Sequence, residues 1–336
     1  MEQLAANSGD SLGIRLLAGV RDFFRRNIMI MVCMVLIIIC SLSSEKFLTL
    51  RNIMSIFRQF SVVGMLAVGA SIAIIVGGID ASVACVMCFA LMVMGKFQEY
   101  PMPAIILVVL AVTFVVGTFS GIAIAYFNVV PFIATMAMAT IAEGSALLVS
   151  DGKPIYWNEN HSDFVQFFGL GSTGPIPNLV IGFFLIACIG QVILMKTRLG
   201  FCWRSIGGNA QAAYWSGIDT PKYTVLAYSC AAMMSGLAAV FMFARIGTSE
   251  PAAGITWTMD ALAAAVLGGT VIGGKGKGSI TGAILGAFML GMINNIFNLI
   301  NVSSYIQYIA KGFILFAAVM ASSQTFRLPR WMGRST

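Results

Sequence analysis

Charge is scarce in this chain. Only 10% of its 336 residues are Asp, Glu, Lys or Arg, against 59% that are hydrophobic, and mean hydropathy is +0.91. Soluble domains carry about 25% charged residues, so the composition excludes a soluble enzyme and places the chain among integral membrane proteins. Histidine is scarcer still, with His161 alone. Cys85 and Cys88 form a C-x-x-C, but no second pair accompanies it and His161 is remote in sequence. Nearly all seven cysteines lie inside apolar runs, so they read as small apolar filler on buried helices and not as metal or redox ligands. A complete phosphate-binding motif is also missing. Gly269-Thr270-Val271-Ile272-Gly273-Gly274-Lys275-Gly276 approaches G-x-x-x-x-G-K-[ST], but it ends on glycine where a hydroxyl must reach magnesium, and it follows an apolar helix instead of a strand. It reads as a tight turn between two spans. No soluble segment is large enough to be a catalytic domain.

Long apolar runs are what the chain has. An apolar stretch of about twenty residues crosses a bilayer as a helix, and about ten can be drawn: 27–43, 55–77, 82–97, 103–125, 131–149, 178–195, 223–245, 258–272, 280–299 and 304–323. The third and eighth are short. Arg15, Arg21, Arg25 and Arg26 precede the first, and Ser41-Leu42-Ser43 imitates a signal-peptide cleavage site. Because further spans follow, the first reads as a retained anchor.

Charge sets the expected orientation. With the N-terminus inside, the inner segments hold those four arginines together with Lys196, Arg198, Arg204, Lys222, Lys275, Lys277, Arg327, Arg330 and Arg334. The outer loops hold only Lys46, Arg51, Lys96 and Lys153, while Arg58, Arg245 and Lys311 fall inside spans. Cytoplasmic loops carry the excess of Lys and Arg. Both termini, segments 1–26 and 324–336, are thus expected in the cytoplasm, flanking a membrane domain at 27–323. The net charge of +7 becomes a topology signal, and no nucleic-acid partner is implied. The largest outer segment, 150–177, carries Asp151, Glu159, His161 and Asp163, and either docks an outside partner or caps the helices.

The polar interruption at 196–222 is cytoplasmic by the same count. Asn209 suits a helix N-cap, Gly217 suits a left-handed helix end, and Pro221 prevents continuation. A helix of two turns carrying Ala212 and Ala213 is not stable alone, since nucleation is costly. Something must receive it.

Several intramembrane groups have two readings each. Gly77-Gly78-Ile79-Asp80-Ala81-Ser82 permits a bend, with Asp80 or Ser82 capping the next helix, or Asp80 serving the transport path. Glu143 falls mid-span. It binds a polar solute or a proton, pairs with Arg245 or Lys311, or stays protonated and structural. Asn294, Asn295 and Asn298 lie toward the outer end of the ninth span, where amides either hydrogen-bond a polyol or bind helices together. Gly278, Gly282 and Gly286, like Gly117 and Gly121, recur at four-residue spacing, which lets helix backbones approach closely.

Taken together, the motifs resemble permease subunits of ATP-binding-cassette importers for monosaccharides, the ribose, xylose and galactose group, from about Leu50 to Met320. The resemblance is carried by Gly77-Gly78-Ile79-Asp80-x-Ser82-Val83, Pro131-Phe132-Ile133-x-Thr135, Ile206-Gly207-Gly208-Asn209-x-x-Ala212-Ala213-x-x-Ser216-Gly217-Ile218, and Gly268-Gly269-Thr270 followed by Gly276-Lys277-Gly278-Ser279. Asn294-Asn295, Ser303-Ser304-Tyr305 and Lys311-Gly312 continue it.

The resemblance implies an all-α integral membrane protein of the ribose and branched-chain amino-acid permease superfamily, in the bacterial inner membrane. It implies a non-catalytic subunit that works as a dimer with a second copy or a paralogous permease. A cytoplasmic ATPase would hold the ATP and magnesium, this chain holding no cofactor or metal, and a periplasmic or lipid-anchored binding protein would deliver a small sugar. It assigns the coupling helix that meets the ATPase to Gly207, Gly208, Asn209, Ala212, Ala213, Tyr214, Trp215, Ser216 and Gly217. Relatives commonly carry Arg near Phe201 and Tyr214, Leu at Ala81, Gly at Ala84 and Arg where Glu143 stands. These departures imply a matching variant surface on the ATPase and a different permease partner. The competing expectations are a branched-chain amino-acid permease, which shares the architecture, and an ion-coupled secondary transporter, motivated by Asp80 and Glu143.

Overall fold

The computed structural model describes residues 28–157, 161–252, 254–273 and 275–322. Arg15, Arg21, Arg25, Arg26, Glu159, Gly274, Arg327, Arg330 and Arg334, and with them the expected terminal segments, lie outside the described residues.

Helix α2, Leu50–Val76, is the axis of the molecule. It is apolar all round and rich in Gly, Ala and Ser, and every residue from Phe60 to Val76 is buried, as expected of a helix that packs on all faces. Around it stand α3 (Val83–Lys96), α6 (Asn178–Lys196), α7 (Arg198–Gly208), α9 (Thr220–Ile246), α10 (Gly254–Leu267) and α11 (Ile280–Leu299). Helix α1 (Ile28–Ser43) leans on α11, α4 (Met102–Ala125) on α9, α5 (Pro131–Ser150) on α3, and α12 (Ser304–Ser322) on α10. The outer helices keep apolar side chains exposed, among them Leu107, Phe119, Leu148, Leu185 and Phe313. Such a surface matches hydrocarbon and not water.

Six helices, α2, α4, α5, α6, α9 and α11, are long and apolar enough to cross a membrane; α1, α3 and α10 are shorter apolar helices. All ten expected spans contain helix, but length and composition support six crossings among the described residues. The boundaries also move. Helix α2 begins at Leu50, five residues before the expected 55, and α10 occupies Gly254–Leu267 instead of 258–272. It stops there because Gly269 adopts φ +79°, with Gly268 N–H and Thr270 N–H donating to Ala264 O and Ala265 O. A left-handed glycine that satisfies the last carbonyls ends a helix.

Small residues set the closest contacts. A Cβ on Gly282 would run into Gly268 O, one on Gly286 into Ala264 O, and one on Gly117 into Tyr228 O. The Gly282–Gly286 stripe thus seats α11 on α10, and Gly117–Gly121 seats α4 on α9, where dispersion contacts hold helices that lipid would otherwise separate.

Residues 150–157 and 161–177 pack against the bundle. Strand β1 (Ile155–Tyr156) pairs antiparallel with Thr248–Ser249, Ile155 opposite Ser249. Trp157 stacks on Phe243 at 3.8 Å and donates through Nε1 to Ser249 Oγ at 2.9 Å, and His161 Nε2 lies 2.6 Å from Gln98 O.

Candidate functional sites at the coupling loop and within the bundle

Residues 196–222 form two helices, not one. Helix α7 was not expected, because three glycines and two arginines disguise it. Its signal was amphipathic spacing: Gly200, Cys202, Trp203, Ile206 and Gly207 are buried. Trp203 donates from Nε1 to Tyr223 O at 2.9 Å, tying α7 to the start of α9. One residue, Asn209, separates α7 from α8 (Ala210–Trp215). Its backbone is extended, and its Oδ1 accepts from Ala212 N–H at 3.0 Å, the N-cap its sequence position implies. At the other end Gly217 adopts φ +82° and donates to Tyr214 O at 2.9 Å, while Ile218 N–H donates to Ala213 O.

Helix α8 buries only Ala213, at 4% exposure. Tyr214 and Trp215 stand out at 58% and 76%, their rings edge to face at 5.8 Å. Two large aromatics on a short capped helix thus stand free of the fold. Tyr and Trp are enriched where proteins bind proteins.

This loop is joined mechanically to the bundle axis. A Cβ on Gly207 would run into Ile75 O at the end of α2, and one on Gly276 would run into Arg204 O of α7. The end of α2, the end of α7 and the turn around Lys275 and Gly276 therefore meet backbone to backbone. Beyond that junction lies Asp80, 2% exposed, whose Oδ1 accepts from Ser82 N–H at 2.8 Å and Ser82 Oγ at 2.6 Å. Thr135 Oγ1 accepts from Ala81 N–H and donates to Ile79 O, both at 3.1 Å, holding the same turn against α5.

The other intramembrane candidates separate. Asn295 pairs with Asn52 of α2, and Asn298 Oδ1 accepts from Gln307 of α12 at 3.0 Å. Asn294 is buried, with Oδ1 lacking any hydrogen-bond partner. Glu143 is half-buried on α5 near Cys85. Neither of the cations considered as its partner pairs with it, because Lys311 holds Asp260 of α10 through Nζ to Oδ2 at 2.9 Å, the one ion pair among the described residues. Asp260 escaped the sequence reading. Its signal was available, a carboxylate within an apolar run of spanning character.

A bundle of long apolar helices with a glycine-packed interior, buried polar groups and a short helix bearing two exposed aromatics has the character of a membrane transport subunit. The chain matches, over residues 52–319, the model of the family described as branched-chain amino acid transport system / permease component, and it belongs to that family. It is thus a multi-pass inner-membrane protein, the pathway subunit of an ATP-binding-cassette importer. Among curated proteins it is 34% identical to the ribose import permease protein of Haemophilus influenzae over 86% of this chain and 90% of that one. It is 35% identical to the ribose import permease protein of Bacillus subtilis, over 85% and 89%, and 35% identical to the D-allose transport system permease protein of Escherichia coli, over 83% and 85%. No solved structure matches significantly.

Proposed function

We propose that this chain forms the membrane pathway for a monosaccharide, driven by a separate ATPase that binds α8. The observation that carries the reading is the exposed pair Tyr214 and Trp215 on α8, which joins through Asn209 to α7 and so to α2, in a chain whose curated relatives include ribose, allose and galactose permeases. The chain makes about ten crossings, the short α3 and α10 included, with both termini and α8 in the cytoplasm, the arrangement that the distribution of Lys and Arg favours. A second permease, the same chain or a paralogue, completes the pathway, and a periplasmic or lipid-anchored protein delivers the sugar.

The mechanism follows from the contacts. ATP and magnesium bind the partner ATPase, whose closure displaces α8. Because Gly207 touches the backbone of Ile75, the displacement passes to the end of α2 and to the Asp80 turn. A rigid axial helix moved at one end changes which side of the bundle is open, a switch of populations between two packed states.

The test is reconstitution of the permease with its ATPase and binding protein in vesicles. ATP-dependent uptake of a monosaccharide is the expected result. Uptake of an aliphatic amino acid in its place would support the other branch of the family. Uptake that survives removal of the ATPase and collapses with a proton or sodium gradient would overturn the ATP-driven reading.

A further inference from the structure

A cavity of about 310 Å³ opens between α10, α11 and α12, lined by Thr256, Met259, Asp260, Leu290, Tyr308 and Lys311 among others. Its volume is at the small end for ligand pockets, which run from about 300 Å³ upward. Its base holds the Lys311–Asp260 ion pair, with side-chain exposures of 20% and 11%. Lys311 Nζ engages only Oδ2 of the carboxylate, and among the described residues no donor reaches Oδ1. Tyr308 is 55% exposed at the mouth, its ring centroid 6.0 Å from Lys311 Nζ.

The helix register places the carboxylate. Gly268 faces Gly282 and Ala264 faces Gly286 across the α10–α11 contact. One turn further along this antiparallel pairing, Asp260 lies beside Leu290, and both line the cavity. Asn294, four residues beyond Leu290 on α11, is buried with its Oδ1 unpartnered, but it does not line the cavity. A carboxylate oxygen without a donor, an ammonium and an aromatic face thus line one cavity.

Helix α10 has 14 residues, short for a crossing, and begins at Gly254 against Cys85 in the first turn of α3, itself 14 residues long. Interrupted helices at membrane depth are tolerated where they are buried in protein or line a cavity, and in transporters they frame the transport site. The groove between α6 and α11, lined by Phe184, Ile284 and Leu285, presents an apolar face with no charged group.

We infer that the Asp260–Lys311 cavity is a transient sugar-binding subsite on the transport path. A sugar hydroxyl donates to Asp260 Oδ1 and another accepts from Lys311, while the apolar face of the ring lies against Tyr308. Paired charges present strong, fixed hydrogen-bonding groups without the cost of an isolated ion in lipid. This inference rests on the monosaccharide reading above.

The test uses the full transporter in vesicles. Removing one partner strands a buried charge, so the informative variant is the double substitution Asp260→Asn with Lys311→Met. For a subsite, the double variant assembles and hydrolyses ATP in response to the binding protein, but sugar uptake falls about tenfold or more. Uptake at the wild-type level overturns the inference. So does joint loss of uptake and ATP hydrolysis in an assembled complex, which would make the pair a latch between α10 and α12. Tyr308→Ala removes no charge and reads the site independently: reduced uptake with normal ATP hydrolysis supports it, and unchanged uptake overturns it. The wild-type arm separates the two readings. Amino-acid uptake without sugar uptake overturns the cargo assignment itself, whereas sugar uptake indifferent to both variants overturns the subsite alone.

Discussion

Asn52 and Asn295 exchange two side-chain hydrogen bonds, Asn52 Nδ2 to Asn295 Oδ1 at 2.9 Å and Asn295 Nδ2 to Asn52 Oδ1 at 2.8 Å, linking α2 to α11. Asn52 Nδ2 also donates to Phe47 O, which fixes which way its amide points. A reciprocal pair between helices 243 positions apart is a fastener. Asn295→Ala strands Asn52 Oδ1, while Asn52 Nδ2 keeps Phe47 O, and is expected to destabilise the detergent-solubilised protein by about 1 kcal/mol, within the range for interhelical hydrogen bonds in membranes. A double-mutant cycle with Asn52→Ala, followed by thermal unfolding, measures the coupling. Uptake that vanishes in Asn295→Ala while stability stays unchanged would make Asn295 a solute contact.

Asp80 lends itself to a sharper substitution pair. Its Oδ1 accepts from Ser82 N–H and Ser82 Oγ, and an asparagine keeps that oxygen without the charge. Asp80→Asn is therefore expected to retain most uptake. Asp80→Ala leaves Ser82 N–H unsatisfied in a buried turn and is expected to cost about 1–3 kcal/mol, visible as a lower melting temperature. Loss of uptake in Asp80→Asn at normal stability would show that the carboxylate charge itself is needed.

How much was legible before any coordinates depended on the range of the forces involved. Local signals were readable: Asn209 caps α8, Gly217 takes positive φ, and the Gly282–Gly286 stripe packs on a neighbouring helix. Each is decided by residues a few positions apart. Helix α7 was hidden because Trp203 and Ile206 earn their place only through burial against distant elements, which outweighs the poor helix propensity of Gly200 and Gly207. The same holds for Asn294, Asn295 and Asn298, which look alike in sequence. Only their neighbours distinguish them: Asn52 for one, Gln307 for another, and no partner for the third. Lys311 was considered as a partner for Glu143 and proved to hold Asp260, because pairing across helices is a tertiary property.

Gly207 and Gly208 are adjacent and predict opposite outcomes. A Cβ on Gly207 would collide with the carbonyl oxygen of Ile75, whereas one on Gly208 meets nothing within 4 Å. Gly208→Ala is expected to behave as wild type in uptake and stability. Gly207→Ala must separate α7 from α2, an overpacking cost of about 1–3 kcal/mol, and is expected to raise ATP hydrolysis per sugar moved by loosening the link between loop and axis. Parallel assays of hydrolysis and uptake check it, and equal ratios in the two variants would remove Gly207 from the coupling route.

The α8 helix supplies the most direct prediction. Proline at 217 is incompatible with φ +82° and removes the N–H that donates to Tyr214 O; aspartate at 213 places a charge where a methyl group is 4% exposed. Both changes sit outside the apolar spans, so membrane insertion is expected to be normal while transport-coupled ATP hydrolysis is lost. Trp215→Ala and Tyr214→Ala leave the fold of α8 untouched, since both side chains are mostly exposed. Their effect should appear only with the ATPase present: if Trp215 is an anchor of that interface, its truncation weakens association by about 2 kcal/mol, some thirtyfold in affinity. Titration of the labelled ATPase onto permease in nanodiscs measures this. Wild-type affinity for both alanine variants, together with normal coupling in Gly217→Pro combined with Ala213→Asp, would show that the ATPase docks elsewhere on the cytoplasmic face.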